Sequence, residues 1–140
     1  AYNDHNKFEN LTLCSTCGAV YVEGRWTWQK TEQAQHSVEC PACRRSREHY
    51  PAGFITLRMT LSKDQWNKIS ALLKHTEENE KAEHPMERII DIKLTEREAL
   101  ITTTGIYLAR RLAEAMAGSL DLKTDYDHLK EEKILRVSVS

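Results

Sequence analysis

The sequence predicts an α+β chain in two parts. All four cysteines of the 140-residue chain fall in two close pairs before Pro51. After Gly53, apolar residues recur alternately at every second position and at helical spacing. Between these stretches, Pro51-Ala52-Gly53 sets a residue that fixes its own φ close to one that leaves it free, a short joint. The expected division is therefore a metal-binding module over 1–53 and an α+β domain over 54–140.

Composition narrows the classes. Hydrophobic residues make up 40% and charged residues 29%, enough for a modest core and unlike a disordered chain. The formal net charge is -1, so no global basic field draws nucleic acid, and such binding needs a local patch. No apolar run approaches the ~20 residues of a membrane span. Segment 1–10 is polar and mixed in charge, unlike a secretory signal. With cysteine pairs that read as metal ligands rather than disulfides, a cytoplasmic protein is expected.

Cys14-Ser15-Thr16-Cys17-Gly18 and Cys40-Pro41-Ala42-Cys43 are two C-x2-C units. Each turn offers two thiolates on one side of a tetrahedral ion, which points to one Zn2+ held by Cys14, Cys17, Cys40 and Cys43. Gly18 suits a tight knuckle, and Pro41 stiffens the second. Four protein ligands close the site, so its expected role is structural. His36 is the nearest further ligand, and a tetrahedral ion does not need it. Redox C-x-x-C chemistry would want a βαβ context absent here, and iron is the lesser metal alternative. Between the pairs, Val20-Tyr21-Val22 and Arg25-Trp26-Thr27-Trp28 flank Glu23-Gly24 as a hairpin. The arginine-rich run after Cys43 makes a short helix, which gives a zinc-ribbon or treble-clef form.

Next, Ile55, Leu57, Met59 and Leu61 alternate as a strand, and Ser62-Lys63-Asp64-Gln65 has the capping-box form. Trp66, Ile69, Leu72 and Leu73 follow as one helical stripe, until Pro85 ends the helix. Ile90, Ile92 and Leu94 alternate as a second strand, then 95–98 turns into a third over 99–103. Thr104-Gly105 opens a second helix, with Leu108, Leu112, Ala115 and Met116 on its apolar face and Gly118 at its end. Leu120, Leu122, Thr124 and Tyr126 form a fourth strand; Leu135, Val137 and Val139 form a fifth, across a charged loop. The order βαββαβ plus one strand matches the ferredoxin-like arrangement, an antiparallel sheet with two helices on one face.

Near the cysteines lie Arg25, Trp26, Trp28, Lys30, Arg44, Arg45, Arg47, His49 and Tyr50. Arginine forks grip phosphates and exposed aromatic rings stack on unpaired bases, which makes this a candidate RNA surface. The competing reading is that the tryptophans cover the metal and the arginines are a solvated helix face. Arg110-Arg111 form a second candidate patch, and 102–105 offers an anion site or a helix cap. No Gly-rich phosphate loop or nucleophile elbow is present, so a non-enzymatic protein with no small-molecule substrate is expected. His75 and His84 fall in a charged helix, where exposure is the ordinary outcome.

The motif order over 14–21, 24–28, 40–45 and 50–53 resembles that of a bacterial family of small four-cysteine zinc-ribbon proteins. His84-Pro85, Ile101-Thr102-Thr103-Thr104 and Leu108-Ala109-Arg110-Arg111 extend the resemblance over most of the chain. More distantly, the layout is similar to the N-terminal zinc region of the archaeal and eukaryotic adaptor that exports the large ribosomal subunit. That adaptor has more cysteines. The resemblance implies binding to the ribosome, through rRNA with ribosomal proteins as further partners, in protection, hibernation or assembly. A protein-binding adaptor with a structural zinc module is the alternative.

Overall fold

A computed structural model of the chain describes residues 8, 10–129, 131 and 133–140. The N-terminal segment read above as polar lies, apart from residues 8 and 10, outside these, as do positions 130 and 132 of the charged loop. Among the described residues the fold is mixed α+β, with two mixed sheets and three helices.

The first sheet contains β1 (Thr12–Cys14), β2 (Val20–Val22), β3 (Arg25–Thr27) and β4 (His36–Val38) in the order β3-β2-β1-β4. The expected hairpin is β2-β3. Its turn places Glu23 and Gly24 at φ 50° and 86°, the left-handed pair that a two-residue hairpin turn requires. β1 and β4 are three residues each and pair in parallel, too short for any periodicity to reveal. Helix α1 (Pro41–Glu48) follows directly, with Cys40 as its N-cap and Pro41 in its first turn, where a missing N–H is harmless.

The second sheet and helices α2 (Lys63–Glu83) and α3 (Ile106–Leu120) form the larger part. Ser62 accepts from the Gln65 amide while Gln65 accepts from the Ser62 amide, completing the expected capping box. The strands are β5 (Gly53–Leu57), β6 (Ile89–Leu94), β7 (Ala99–Thr103), β8 (Thr124–Leu129) and β9 (Ile134–Val139), in the order β6-β7-β5-β9-β8. Ile55, Leu57, Ala99, Ile101, Leu135, Val137 and Val139 face the helices and bury against Ile69, Leu73, Leu108, Leu112 and Met116.

This order corrects the expected antiparallel sheet. β9 occupies the place beside β5 where a ferredoxin-like fold puts its fourth strand, and it runs parallel to β5. β8 is displaced to the edge, antiparallel to β9. The burial of each strand explains the exchange. Leu135, Val137 and Val139 are almost wholly buried, as a central strand demands, whereas 125–129 are all exposed and carry Asp125 and Asp127, as an edge tolerates.

Three local expectations also change. The first strand stops at Leu57; Met59 and Leu61 still pack on the core from outside it. Gly118 lies inside α3, which ends at Asp121 in the left-handed conformation, so Leu120 is helical and β8 starts only at Thr124. A bulge between Ile89 and Asp91 shifts the register of β6, so Ile89 and Ile92 both pack on the core; Leu94, at the end of the strand, is exposed. No helix among the described residues is long and apolar enough to cross a membrane.

Candidate metal centre

The knuckle over 14–18 closes as Gly18, at φ 86°, donates its amide to the Cys14 carbonyl at 3.0 Å. A side chain there would be strained, which is why glycine follows Cys17. Cys40 and Cys43 approach from the other side, fixed by the first turn of α1. Backbone amides point at three of the sulfurs: Cys40 to Cys14 Sγ at 3.3 Å, Cys43 to Cys40 Sγ at 3.4 Å, Ala19 to Cys17 Sγ at 3.5 Å.

All four Sγ atoms lie within 4.8 Å of one another, so the cluster can hold a metal ion. The Cys14–Cys43 and Cys17–Cys40 separations are both 3.8 Å. A regular tetrahedron with metal–sulfur bonds of about 2.3 Å has edges of about 3.8 Å, whereas a disulfide would bring two sulfurs to about 2.05 Å. The cysteines are free thiols, and Cys14, Cys40 and Cys43 are buried. His36 stands on β4, exposed and outside the cluster.

The electrostatics divide the sulfurs. Burial raises the Cys14 thiol, but backbone amides of Cys17, Cys40 and Thr16 outweigh it and bring the group down to about 6. Burial pushes Cys40 and Cys43 up, and neighbouring thiolates add to this. A set in which Cys14 ionises readily while Cys40 and Cys43 resist needs added positive charge to ionise together.

Part of that charge comes from a residue the motif reading missed. Arg88, 8% exposed at the entry to β6, donates Nη1–H to Cys43 Sγ and Nη2–H to Cys17 Sγ, each at 3.0 Å. Its Nε–H goes to the Pro85 carbonyl at 3.0 Å. Burial works against its charge, but the sulfurs over-compensate and hold it firmly protonated. Nothing local marks Arg88 in the sequence: it lies 71 positions from Cys17, ahead of an apolar strand.

The segment 84–88 is shared by both parts of the molecule. Met86 packs against the cysteine cluster. Glu87 accepts from the Leu108 amide at 2.7 Å and so caps α3, whose own N-cap, Gly105, has no side chain to do so. A Cβ on Gly105 would overlap that carboxylate. The helix start at 102–105, read as an anion site or a cap, is thus capped, by the chain's own Glu87. Burial raises the Glu87 carboxyl in spite of this bond.

The proposed RNA-contact residues are placed unevenly. Trp26 packs edge-on against Phe8 and Tyr21, with centroids 5.2 and 5.4 Å away. Trp28 lies just past the end of β3, donates its indole N–H to the Lys81 carbonyl at 2.8 Å, and has the Arg88 guanidinium 5.7 Å from its ring. Both rings flank the cysteine cluster. Arg45 is buried and donates to the Tyr50 carbonyl at 2.9 Å. Arg44, Arg47, His49 and Tyr50 are exposed, and so are Arg25 and Lys30 on and beyond β3. Arg47 is bidentate to Glu39, at 2.8 and 2.9 Å, and Arg44 pairs with Glu48 at 3.2 Å. Arg110 and Arg111 sit on α3: Arg110 lies over Tyr126, and Arg111 lies near Glu80 and Glu114. His75 and His84 are exposed, as expected. No family model, no curated protein and no solved structure matches the chain, so its chemistry is read from its own residues.

Proposed function

We propose that the four cysteines hold one structural zinc ion, and that the chain is a non-enzymatic, zinc-dependent RNA-binding protein that acts on the ribosome by occupying rRNA. Four soft thiolates at tetrahedral spacing suit zinc and leave no coordination position for water. Free cysteines fit a reducing, cytoplasmic setting. The observation that carries the RNA reading is the double use of α1. Its inner side supplies Cys40 and Cys43 to the metal, while Arg44, Arg47, His49 and Tyr50 are exposed on and just beyond it. The ion pairs at Glu39 and Glu48 do not bar phosphate, because exposed pairs of this kind are worth about 0–1 kcal/mol. Protection, hibernation and assembly would all follow from such occupancy.

The full zinc-loaded chain should sediment with ribosomes at low salt and bind rRNA with an affinity that falls steeply as salt rises. Arg44→Glu with Arg47→Glu should abolish this while leaving the zinc in place. A chain that stays off ribosomes at low salt, or a double variant that binds as well as the parent, would remove the RNA reading. A protein-binding adaptor is the second reading, supported by the sheet face opposite the helices, where Phe54, Leu100 and Thr102 are half-buried. Salt-insensitive capture of a protein, with no RNA, would favour it.

A further inference from the structure

A metal centre of four thiolates and one divalent ion carries a net charge of −2, and three of its four sulfurs here are buried. Isolated charge in such a place is costly unless it is neutralised and hydrogen-bonded. Arg88 is built for that task. Its guanidinium reaches three of the four sulfurs, Cys43 and Cys17 at 3.0 Å and Cys40 at 3.8 Å. Its remaining contacts among the described residues are a carbonyl and the Trp28 ring, and no carboxylate pairs with it. The backbone that carries it is pinned: the Arg88 amide donates to Thr104 Oγ1 at 2.9 Å, and the Thr104 amide donates to the Arg88 carbonyl at 2.8 Å. Thr104 is itself buried beside the start of α3. The guanidinium is therefore held at the sulfurs by the α+β part of the molecule, not by the cysteine loops.

The geometry points to Arg88 as the positioning and specificity-determining residue of the metal centre, selecting the −2 charge state of a divalent ion over the −1 state of a trivalent one. This rests on the reading of the four cysteines as a metal site. The physical reason is Coulombic. A fixed positive charge beside the thiolates interacts about twice as strongly with a −2 centre as with a −1 centre, whatever the local dielectric. The two N–H···S bonds act in the same direction, because they draw density from sulfur and favour the more electron-rich centre. A lysine would keep the charge and lose the fork that spans Cys43 and Cys17.

The test uses the full chain loaded separately with zinc and, without oxygen, with iron. Zinc affinity is read by competition with a chromophoric chelator, and the iron potential by spectroelectrochemical titration. Arg88→Met should weaken zinc by about 10–100-fold, the usual effect of removing an outer-shell partner. In the iron form it should raise the Fe(III)/Fe(II) ratio at a given potential at least ~10-fold, a fall in midpoint of about 59 mV. Arg88→Lys should keep the iron potential near the parent value while still losing zinc affinity. The potential is the readout that a merely structural role would not move. An unchanged potential in Arg88→Met would overturn the assignment, whatever the zinc affinity. Should that variant fail to fold, Arg88→Gln, which keeps hydrogen-bond donors and removes the charge, decides: a parental potential overturns the assignment, and a fall in potential supports it. If the parent chain takes up neither metal, the metal reading itself fails, which is a separate and recognisable result.

Discussion

Around α2, α3 and the five-stranded sheet the buried cluster is made of large aliphatic side chains, with Ile55, Leu73, Ile101, Leu112 and Leu135 at its centre. Around the cysteines the buried members are Cys14, Ala19, Cys40, Ala42 and Cys43, and the larger Trp26, Trp28 and Met86 only flank them. The first region has alternating strands and amphipathic helices whose apolar surface drives them together. The second has strands of three residues and little apolar surface, and coordination of the proposed metal would take the place of a core. The lesson is that the two regions should respond to different perturbations, and that 84–88, which serves both, is where the distinction is weakest.

The largest effect is expected from metal removal. A chelator should abolish ordered amide signals over 10–50 while α2 and α3 keep their helical signal, since structural zinc contributes on the order of 10 kcal/mol to modules of this kind. NMR before and after chelation measures this directly. Loss of both regions together would break the comparison and make the larger part dependent on the metal through Arg88 and Glu87.

The converse perturbation is Leu112→Ala. Leu112 is wholly buried in the apolar cluster, so truncation should cost about 2–5 kcal/mol through lost burial and the cavity left behind. Urea unfolding followed by helical signal should show the lower midpoint, with zinc affinity unchanged. A parallel loss of zinc binding would show that the cysteine region leans on the larger core more than its contacts indicate.

The smallest effect concerns the shared segment. Burial raises the Glu87 carboxyl in the folded state, with His84, Glu80 and Arg45 among the charges around it. The folded chain thus binds this proton more tightly than the unfolded chain does. The contribution is present below the ordinary glutamate value near pH 4.3 and is lost as pH rises through the raised folded value. Glu87→Gln should flatten that part of the stability–pH profile, as read by urea midpoints across pH 4–7. An unchanged slope would place Glu87 in a wetter setting than its bond to Leu108 implies.

Much of the local architecture was legible because its causes are local. The two C-x2-C units, the capping box at Ser62, the turn at Glu23-Gly24 and the stripe of α3 each depend on residues a few positions apart. The bulge in β6 was not legible, because 89–94 is apolar enough to support either face. The position of β9 was only half legible. Its alternation announced a strand, but its contest with β8 for the place beside β5 is settled by comparing the burial each can offer. In the candidate site the four sulfurs were evident and their outer shell was not. Arg45 resembled its exposed neighbours in sequence, yet it turns inward to Tyr50, and Trp28 is held by Lys81, 53 positions away.

By itself, the sequence determined a cluster of four cysteines able to hold a metal, an α+β partner and the type of its main elements, since spacing alone encodes ligand pairs and amphipathic faces. Only the tertiary structure decided that the cluster's charge is met by Arg88, that Glu87 caps α3, and that β9 lies inside the sheet. Those are pairings between distant residues, selected by which arrangement leaves no buried charge or apolar strand unsatisfied, and no local pattern records them.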